Sequence, residues 1–237
     1  MKVLITGGTG SVGQELIKVF AQDQNNEITF TYFDNENLAT SLSKQYKCKA
    51  ISLKREFDLP NDFDIIVNNA GVVNSLCSIE NIDISKWNET LYVNLTLPFL
   101  IIKGNLPYMK ANKFGRIINI SSIYGVCAEE DVCPYSVSKH GLIGLTRAVA
   151  KEYGAYGITC NAICPATINS SMSNRLADYY TNTPKEREEY FNLLINATPT
   201  KKLIEPIEVA NFAYFVSKSE ALNINGAVLM LDGGYTA

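Results

Sequence analysis

The stretch Lys2-Val3-Leu4-Ile5-Thr6-Gly7-Gly8-Thr9-Gly10-Ser11-Val12-Gly13 reads as a buried strand that breaks into a glycine turn and then enters a helix. Val3, Leu4 and Ile5 are consecutive apolar residues, as in a short strand covered on both faces. Beyond the glycines, Val12, Leu16, Val19 and Phe20 share one helical face. Glycines between a strand and a helix serve a tight turn. In this setting they also let the backbone approach a pyrophosphate, whose charge meets free N–H groups at the helix N-terminus. The position at the first strand-to-helix junction favours that second reading, a dinucleotide site.

Working outward, residues 27–33 form a second strand, with Ile28, Phe30 and Tyr32 alternating with Thr29 and Thr31. In a dinucleotide fold the end of this strand meets the adenosine ribose. An acid there suits the 2′-hydroxyl of NAD, and a base suits the 2′-phosphate of NADP. No Lys or Arg lies between Lys18 and Lys44, which leans toward NAD. Asp34 is the candidate contact, unless Tyr32 takes the reading position. The other reading of Asp34 is a turn acid capping the next helix, 38–46. The choice between NAD and NADP stays open. A third strand spans 49–53 and a fourth 64–68, with little room between them for a crossover helix. Asp58 in that connection is a surface acid or an adenine contact.

The fourth strand ends in Asn68-Asn69-Ala70-Gly71, a small-residue turn that lets backbone come close to a ligand. Residues 85–102 form a helix with Trp87, Leu91, Val93 and Leu95, and with Asn94 embedded where helix propensity disfavours it. Asn94 holds a water, bends the helix, or bonds a carbonyl one turn back. The fifth strand, 115–122, ends in Ser121-Ser122, hydroxyls placed to face a crevice at a strand's C-terminal end. The loop 123–134 leads to a helix holding Tyr135 and Lys139, four residues apart on one face. A nearby ammonium lowers the phenol pKa, so the pair could pass a proton at neutral pH. The sixth strand is 158–164. The segment 166–198 has no strand period and contains two helical patches, as a lid over a site does. A helix at 206–218 and a seventh strand at 227–231 end in Asp232-Gly233-Gly234.

The composition excludes several classes. The chain has 237 residues, 46% hydrophobic and 19% charged, with 21 basic and 24 acidic residues for a net charge of −3. Such a balance gives no electrostatic case for nucleic acid or an anionic membrane. The first residues break into glycines too early for a signal peptide. The apolar run near 93–102 is interrupted and shorter than the roughly 20 residues a bilayer requires. Cys48, Cys77, Cys127, Cys133, Cys160 and Cys164 are scattered and His140 is the only histidine. The set reads as reduced thiols with no metal site, which fits a cytoplasmic location. No repeat or linker is visible, so residues 1–237 read as a single domain.

Taken together, Thr6-Gly7…Gly13, Asn68-Asn69-Ala70-Gly71, Asn94 after Trp87, Ser122 thirteen residues before Tyr135, Tyr135-x-x-x-Lys139, Pro165 after Asn161 and Asp232-Gly233-Gly234 resemble the short-chain dehydrogenase/reductase family nearly end to end. By general pattern the chain is similar to 3-oxoacyl-(acyl-carrier-protein) reductases. The resemblance implies an α/β, Rossmann-like, doubly wound and mostly parallel seven-stranded sheet with helices on both faces. It implies hydride transfer between NAD(P)(H) and a carbonyl or hydroxyl substrate. Tyr135 is then the general acid or base, and Lys139 lowers its pKa and holds the nicotinamide ribose. Ser122 orients the substrate oxygen, and Asn94 holds a proton-relaying water. Gly7, Ser11, Val12 and Gly13 cradle the pyrophosphate; Asn69, Ala70 and Gly71 line the adenosine side; Pro165, Ile168 and Ser170 meet the nicotinamide.

The substrate expected is a small carbonyl or alcohol, free or carrier-linked, with a 3-oxoacyl thioester first and a small ketone or a sugar of surface-polysaccharide synthesis second. A dinucleotide-sensing protein without catalysis is the alternative class. A homotetramer, built on the helices that contain Trp87 and Tyr135, is the assembly the family implies. The chain also departs from the family pattern. Ser11 stands where the small branch has Gly, and Gly10 where NADP-dependent relatives often have Arg. Ala166 replaces the Gly after Pro165, and Tyr156 falls where carrier-protein reductases tend to have Arg. Glu129-Glu130-Asp131 place three acids near the mouth, and Lys110, Lys113 and Arg116 form a basic cluster before the fifth strand.

Overall fold

The computed structural model describes residues 1–53 and 59–237. Asp58 lies outside the described residues. Strands β1 (Lys2–Ile5), β2 (Glu27–Tyr32), β3 (Lys49–Ser52), β4 (Ile65–Asn68), β5 (Gly115–Ile120), β6 (Ile158–Pro165) and β7 (Val228–Leu231) form one sheet in the order β3-β2-β1-β4-β5-β6-β7. Every neighbouring pair is parallel, so the sheet is parallel throughout rather than mostly so. The order reverses between β1 and β4. That switch point opens a crevice beyond the C-terminal ends of the strands.

Alternation along β1 divides the core. Val3 and Ile5 pack on one face with Leu16 and Phe20 of α1 (Ser11–Phe20), together with Val209 and Ala213 of the helix Pro206–Val216. Leu4 packs on the other face with Ile101 and Ile102 of the helix Leu97–Asn112 and Val149 of the helix Cys133–Tyr153. A fully buried Leu, Ile or Phe contributes about 1.5–3 kcal/mol, so each layer is held by several such side chains. The remaining helices are α2 (Glu36–Tyr46), α3 (Ile84–Leu91), α6 (Ser171–Tyr180) and α7 (Pro184–Ala197), which makes Leu97–Asn112 α4, Cys133–Tyr153 α5 and Pro206–Val216 α8.

Two elements differ from the sequence expectation. The helix read at 85–102 is α3, a π-helical turn over Tyr92–Thr96 and α4, and it runs on to Asn112. Pro107 lies inside α4 and lacks the N–H for the bond one turn back. The helix continues because Leu106 and Met109 are buried beside Ile117 and Ile158. The cap of α2 is Asn35, whose side chain accepts from Leu38 N at 3.1 Å, and not Asp34.

A polar thread crosses the apolar centre. Asn68 on β4 faces Asn119 on β5, and its Nδ2 donates to Asn119 Oδ1 at 2.8 Å. Asn119 Nδ2 donates in turn to Thr146 Oγ1 on α5 at 2.8 Å. All three residues are buried.

Candidate active site

Gly7 adopts φ +68°, open to glycine at low cost, and a Cβ there would lie 3.0 Å from Ala70 Cα. The strand ends beneath it are locked by Thr6, whose Oγ1 accepts from Asn69 N at 3.0 Å and Ala70 N at 2.9 Å. Asn69 Nδ2 returns a bond to Thr6 O at 2.9 Å. Gly7, Asn69, Ala70 and Gly71 are thereby joined into one floor at the switch point. The first N–H groups of α1, from Ser11, Val12 and Gly13, have no partner within the helix, and Gly10 supplies no side-chain cap. This cradle of bare backbone and free N–H groups fits the pyrophosphate of a dinucleotide.

Asp34 sits exposed beyond β2, where its carbonyl accepts from Glu36 N at 3.1 Å. Pro165 ends β6, Ile168 bridges to Ile204, and Ser170 caps α6 by accepting from Ser173 N at 3.3 Å.

Tyr135 and Lys139 project from α5, and the Lys139 ammonium lies 5.4 Å from the Tyr135 ring centre. Lys139 Nζ donates to Ile120 O at 2.8 Å, which anchors it to the end of β5. Burial pulls its pKa down to about 8. Burial also pushes the Tyr135 phenol up to about 12, against the hydrogen bond from Ser122 that draws it down. The lysine was expected to lower the tyrosine. Here the lowering partner is Ser122 instead, and the loss of water around the phenol outweighs it. Ser122 also accepts from Tyr124 N at 3.2 Å, and the Tyr124 ring meets Tyr135 edge-on at 6.4 Å.

Asn94 lies in the π-helical turn, a distortion that tends to mark functional positions. Its Oδ1 accepts from Val72 N at 2.8 Å, and its Nδ2 donates to Val72 O at 3.0 Å and Ser138 Oγ at 3.0 Å. The amide thus fixes the chain just after Gly71 and does not bond a carbonyl one turn back. A Cβ on Gly71 would lie 3.5 Å from both Asn94 Oδ1 and Lys139 Nζ, so the two side chains converge there.

Several contributors were not singled out from the sequence. Thr6 and Ser138 buttress the floor and Asn94. Cys164 bonds the Ser121 hydroxyl under Lys139. Tyr179 OH donates to Leu76 O at 2.6 Å, tying α6 to the loop after β4. Thr6 opens the Thr6–Gly13 motif and Ser138 lies inside the Tyr135–Lys139 spacing, the two sequence signals among them.

The segments 123–134 and 166–198 come close to each other, Tyr180 near Asp131 and Tyr190 near Glu129. Tyr180 and Tyr190 stack at 5.9 Å, and Cys77 N donates to Asp131 O at 3.1 Å. After burial, the Glu129 carboxylate is the next cause of the upward shifts of Tyr124 and Tyr190. Glu129, itself exposed, therefore lies near both tyrosines. All six cysteines are free, and among the described residues no helix is long and apolar enough to cross a membrane.

A family model described as Enoyl-(Acyl carrier protein) reductase matches residues 9–236. The chain is 32% identical over 99% of its length to the uncharacterized oxidoreductase YxjF of Bacillus subtilis, covering 97% of that protein. It is 36% identical over 73% of its length to a D-beta-hydroxybutyrate dehydrogenase of Rhizobium meliloti, covering 68% of that protein. Among solved structures it superposes on a Burkholderia thailandensis oxidoreductase with a TM-score of 0.83 and 26% identity, covering 99% of this chain and 92% of that one. It also superposes on ElxO with NADP bound, with a TM-score of 0.82 and 26% identity, covering 99% and 98%. With a parallel sheet that reverses beneath a glycine cradle, and a family match over nearly its whole length, the chain belongs to the short-chain dehydrogenase/reductase family of oxidoreductases.

Proposed function

We propose that this oxidoreductase passes hydride between a nicotinamide, NAD or NADP, and the carbonyl carbon of an uncharged ketone or its secondary alcohol. The observation that carries the reading is the Ser122–Tyr135 hydroxyl pair beside Lys139 at the C-terminal end of β5. Bound nicotinamide supplies or accepts the hydride. The cradle residues Gly7, Ser11, Val12 and Gly13 hold the pyrophosphate, and Asn69, Ala70 and Gly71 line the adenosine side. In this reading Asp34 meets the ribose, and Pro165, Ile168 and Ser170 meet the nicotinamide end. Ser122 donates to the substrate oxygen and orients it. Tyr135, kept protonated by burial, gives its proton to that oxygen in reduction and takes it back in oxidation. Lys139 steadies the phenolate that forms. Asn94 holds a water that relays protons from Lys139 to solvent.

The neutral class is chosen because Glu129, exposed near Tyr124 and Tyr190, would repel a carboxylate more than a neutral substrate. A 3-oxoacyl thioester is uncharged at its reacting end and stays within the proposal. An acidic carrier protein would meet the same field. The test is a spectrophotometric panel with NADH and NADPH, in which a 3-oxoacyl thioester and neutral ketones are compared with keto acids. Neutral compounds should show the higher kcat/KM. Faster turnover of a keto acid would overturn the substrate class, and turnover of none would return the non-catalytic alternative.

The same reading extends to a homotetramer. The groove between α4 and α5, about 600 Å³, is lined by Phe99, Leu106, Leu145 and Val149. Phe99 and Leu100 stand exposed on α4, as side chains awaiting a second copy do. Sedimentation at micromolar concentration should give four copies, and a monomer would refute the assembly.

A further inference from the structure

Ser11 is the first residue of α1, in the loop proposed to receive the pyrophosphate. Its Oγ accepts from the backbone N of Ser171 at 3.1 Å, and its hydroxyl donates to Ser171 Oγ at 3.4 Å. Ser171 is the first residue of α6. The N–H of a helix's first residue has no partner inside the helix. Ser170 caps the N–H of Ser173, so the N–H of Ser171 is met from 160 residues away in sequence.

The rest of α6 shows what this bond holds. Near its other end, Tyr179 OH donates to Leu76 O at 2.6 Å. The next residue, Cys77, is tied through its N–H to Asp131 O on the 123–134 loop. A chain of contacts therefore runs from the glycine loop through Ser11, along α6, and across the mouth to the loop that carries Glu129. A glycine at position 11 would complete the same turn but remove the first link.

We propose that Ser11 is a positioning residue. Its hydroxyl anchors the first turn of α6 to the glycine loop, coupling the seating of the substrate lid to the dinucleotide cradle. The inference rests on the reading above in taking 166–198 as a lid and the glycine loop as the cofactor cradle. Coupling of this kind is reciprocal: whatever steadies the loop steadies α6, and the reverse.

The test is amide hydrogen exchange on the full-length protein, followed over 171–180, with α8 as the internal reference. Ser11→Gly should exchange in α6 about two- to tenfold faster, the range expected from losing the bond to the Ser171 N–H. Ser11→Thr keeps the hydroxyl and should restore the wild-type rate. Ser171→Ala keeps the backbone N–H and should also stay near wild type. A second readout is kinetic: Ser11→Gly should raise the KM for the ketone more than it lowers kcat. Equal α6 exchange in Ser11→Gly and wild type would overturn the proposal. So would acceleration shared equally with α8, since that marks general loosening. The exchange result stands without turnover, so failure of the ketone panel and failure of the anchor are separate outcomes.

Discussion

Tyr135→Phe should lower turnover by about 10²- to 10⁴-fold, the contribution of a positioned acid or base, while NADH binding survives. The substitution removes only the hydroxyl. The ring keeps its edge-on contact with Tyr124, and α5 keeps its buried face on β5 and β6. Burial pushes the phenol up to about 12, so near neutral pH it carries the proton that reduction needs. Steady-state rates in both directions, with a fluorescence titration of NADH alongside, separate loss of chemistry from loss of binding. Unchanged turnover would remove Tyr135 from the mechanism. In the wild type, Lys139 carries a second signature. With its pKa pulled down to about 8, it loses its charge as pH rises past that value, and reduction should weaken there. The sign for stability is the opposite. The unfolded lysine holds its proton to about 10.4. The unfolded chain therefore binds more protons across that window, and folding stability rises with pH through it.

Gly13→Ala should weaken dinucleotide binding and destabilise the fold. A Cβ at position 13 would lie 2.1 Å from Gly7 O and 2.8 Å from Gly8 Cα, both main-chain atoms. No rotamer relieves such a contact, so either α1 or the glycine turn must shift. Overpacking of this kind costs about 1–3 kcal/mol. At this chain length that corresponds to a fall of several degrees in Tm, roughly 2–4 °C per kcal/mol. The cradle N–H groups move with the helix, so NADH affinity should fall further than stability alone accounts for. A thermal melt with a parallel titration reads both. Wild-type affinity in a folded Gly13→Ala protein would remove the glycine cradle from the cofactor site. Gly10 is the contrast, because a Cβ there meets nothing closer than Gly7 O at 3.4 Å.

The elements legible in the sequence were those whose pattern is local. Three consecutive apolar residues at Val3–Leu4–Ile5 and alternation at Ile28, Phe30 and Tyr32 placed β1 and β2 to within a residue. The i, i+4 spacing placed Tyr135 and Lys139 on one helical face. What the sequence did not give depends on distant partners. The extension of α4 past Pro107 rests on burial of Met109, which helix propensity does not register. The cap at Asn35 rather than Asp34 turns on a difference of one residue, below what pattern resolves. The upward shift of Tyr135 reflects exclusion of water by several segments, while the sequence shows only the nearby charge. The link between Ser11 and Ser171 leaves no periodic trace at all.

The polar thread through Asn68, Asn119 and Thr146 bears on how the chain finds its own sheet. β4 and β5 are short and pair mainly through Ile and Val side chains, so hydrophobic contact alone would tolerate several alignments of one against the other. Sliding β5 by two residues would keep its side chains on the same faces yet leave both amides stranded in an apolar interior, at a cost of about 1–3 kcal/mol for each unsatisfied group. Only the native alignment sets Asn68 opposite Asn119 and brings Asn119 under Thr146. The three side chains act as a checksum on strand pairing, because a misaligned sheet carries the penalty of unpaired buried amides.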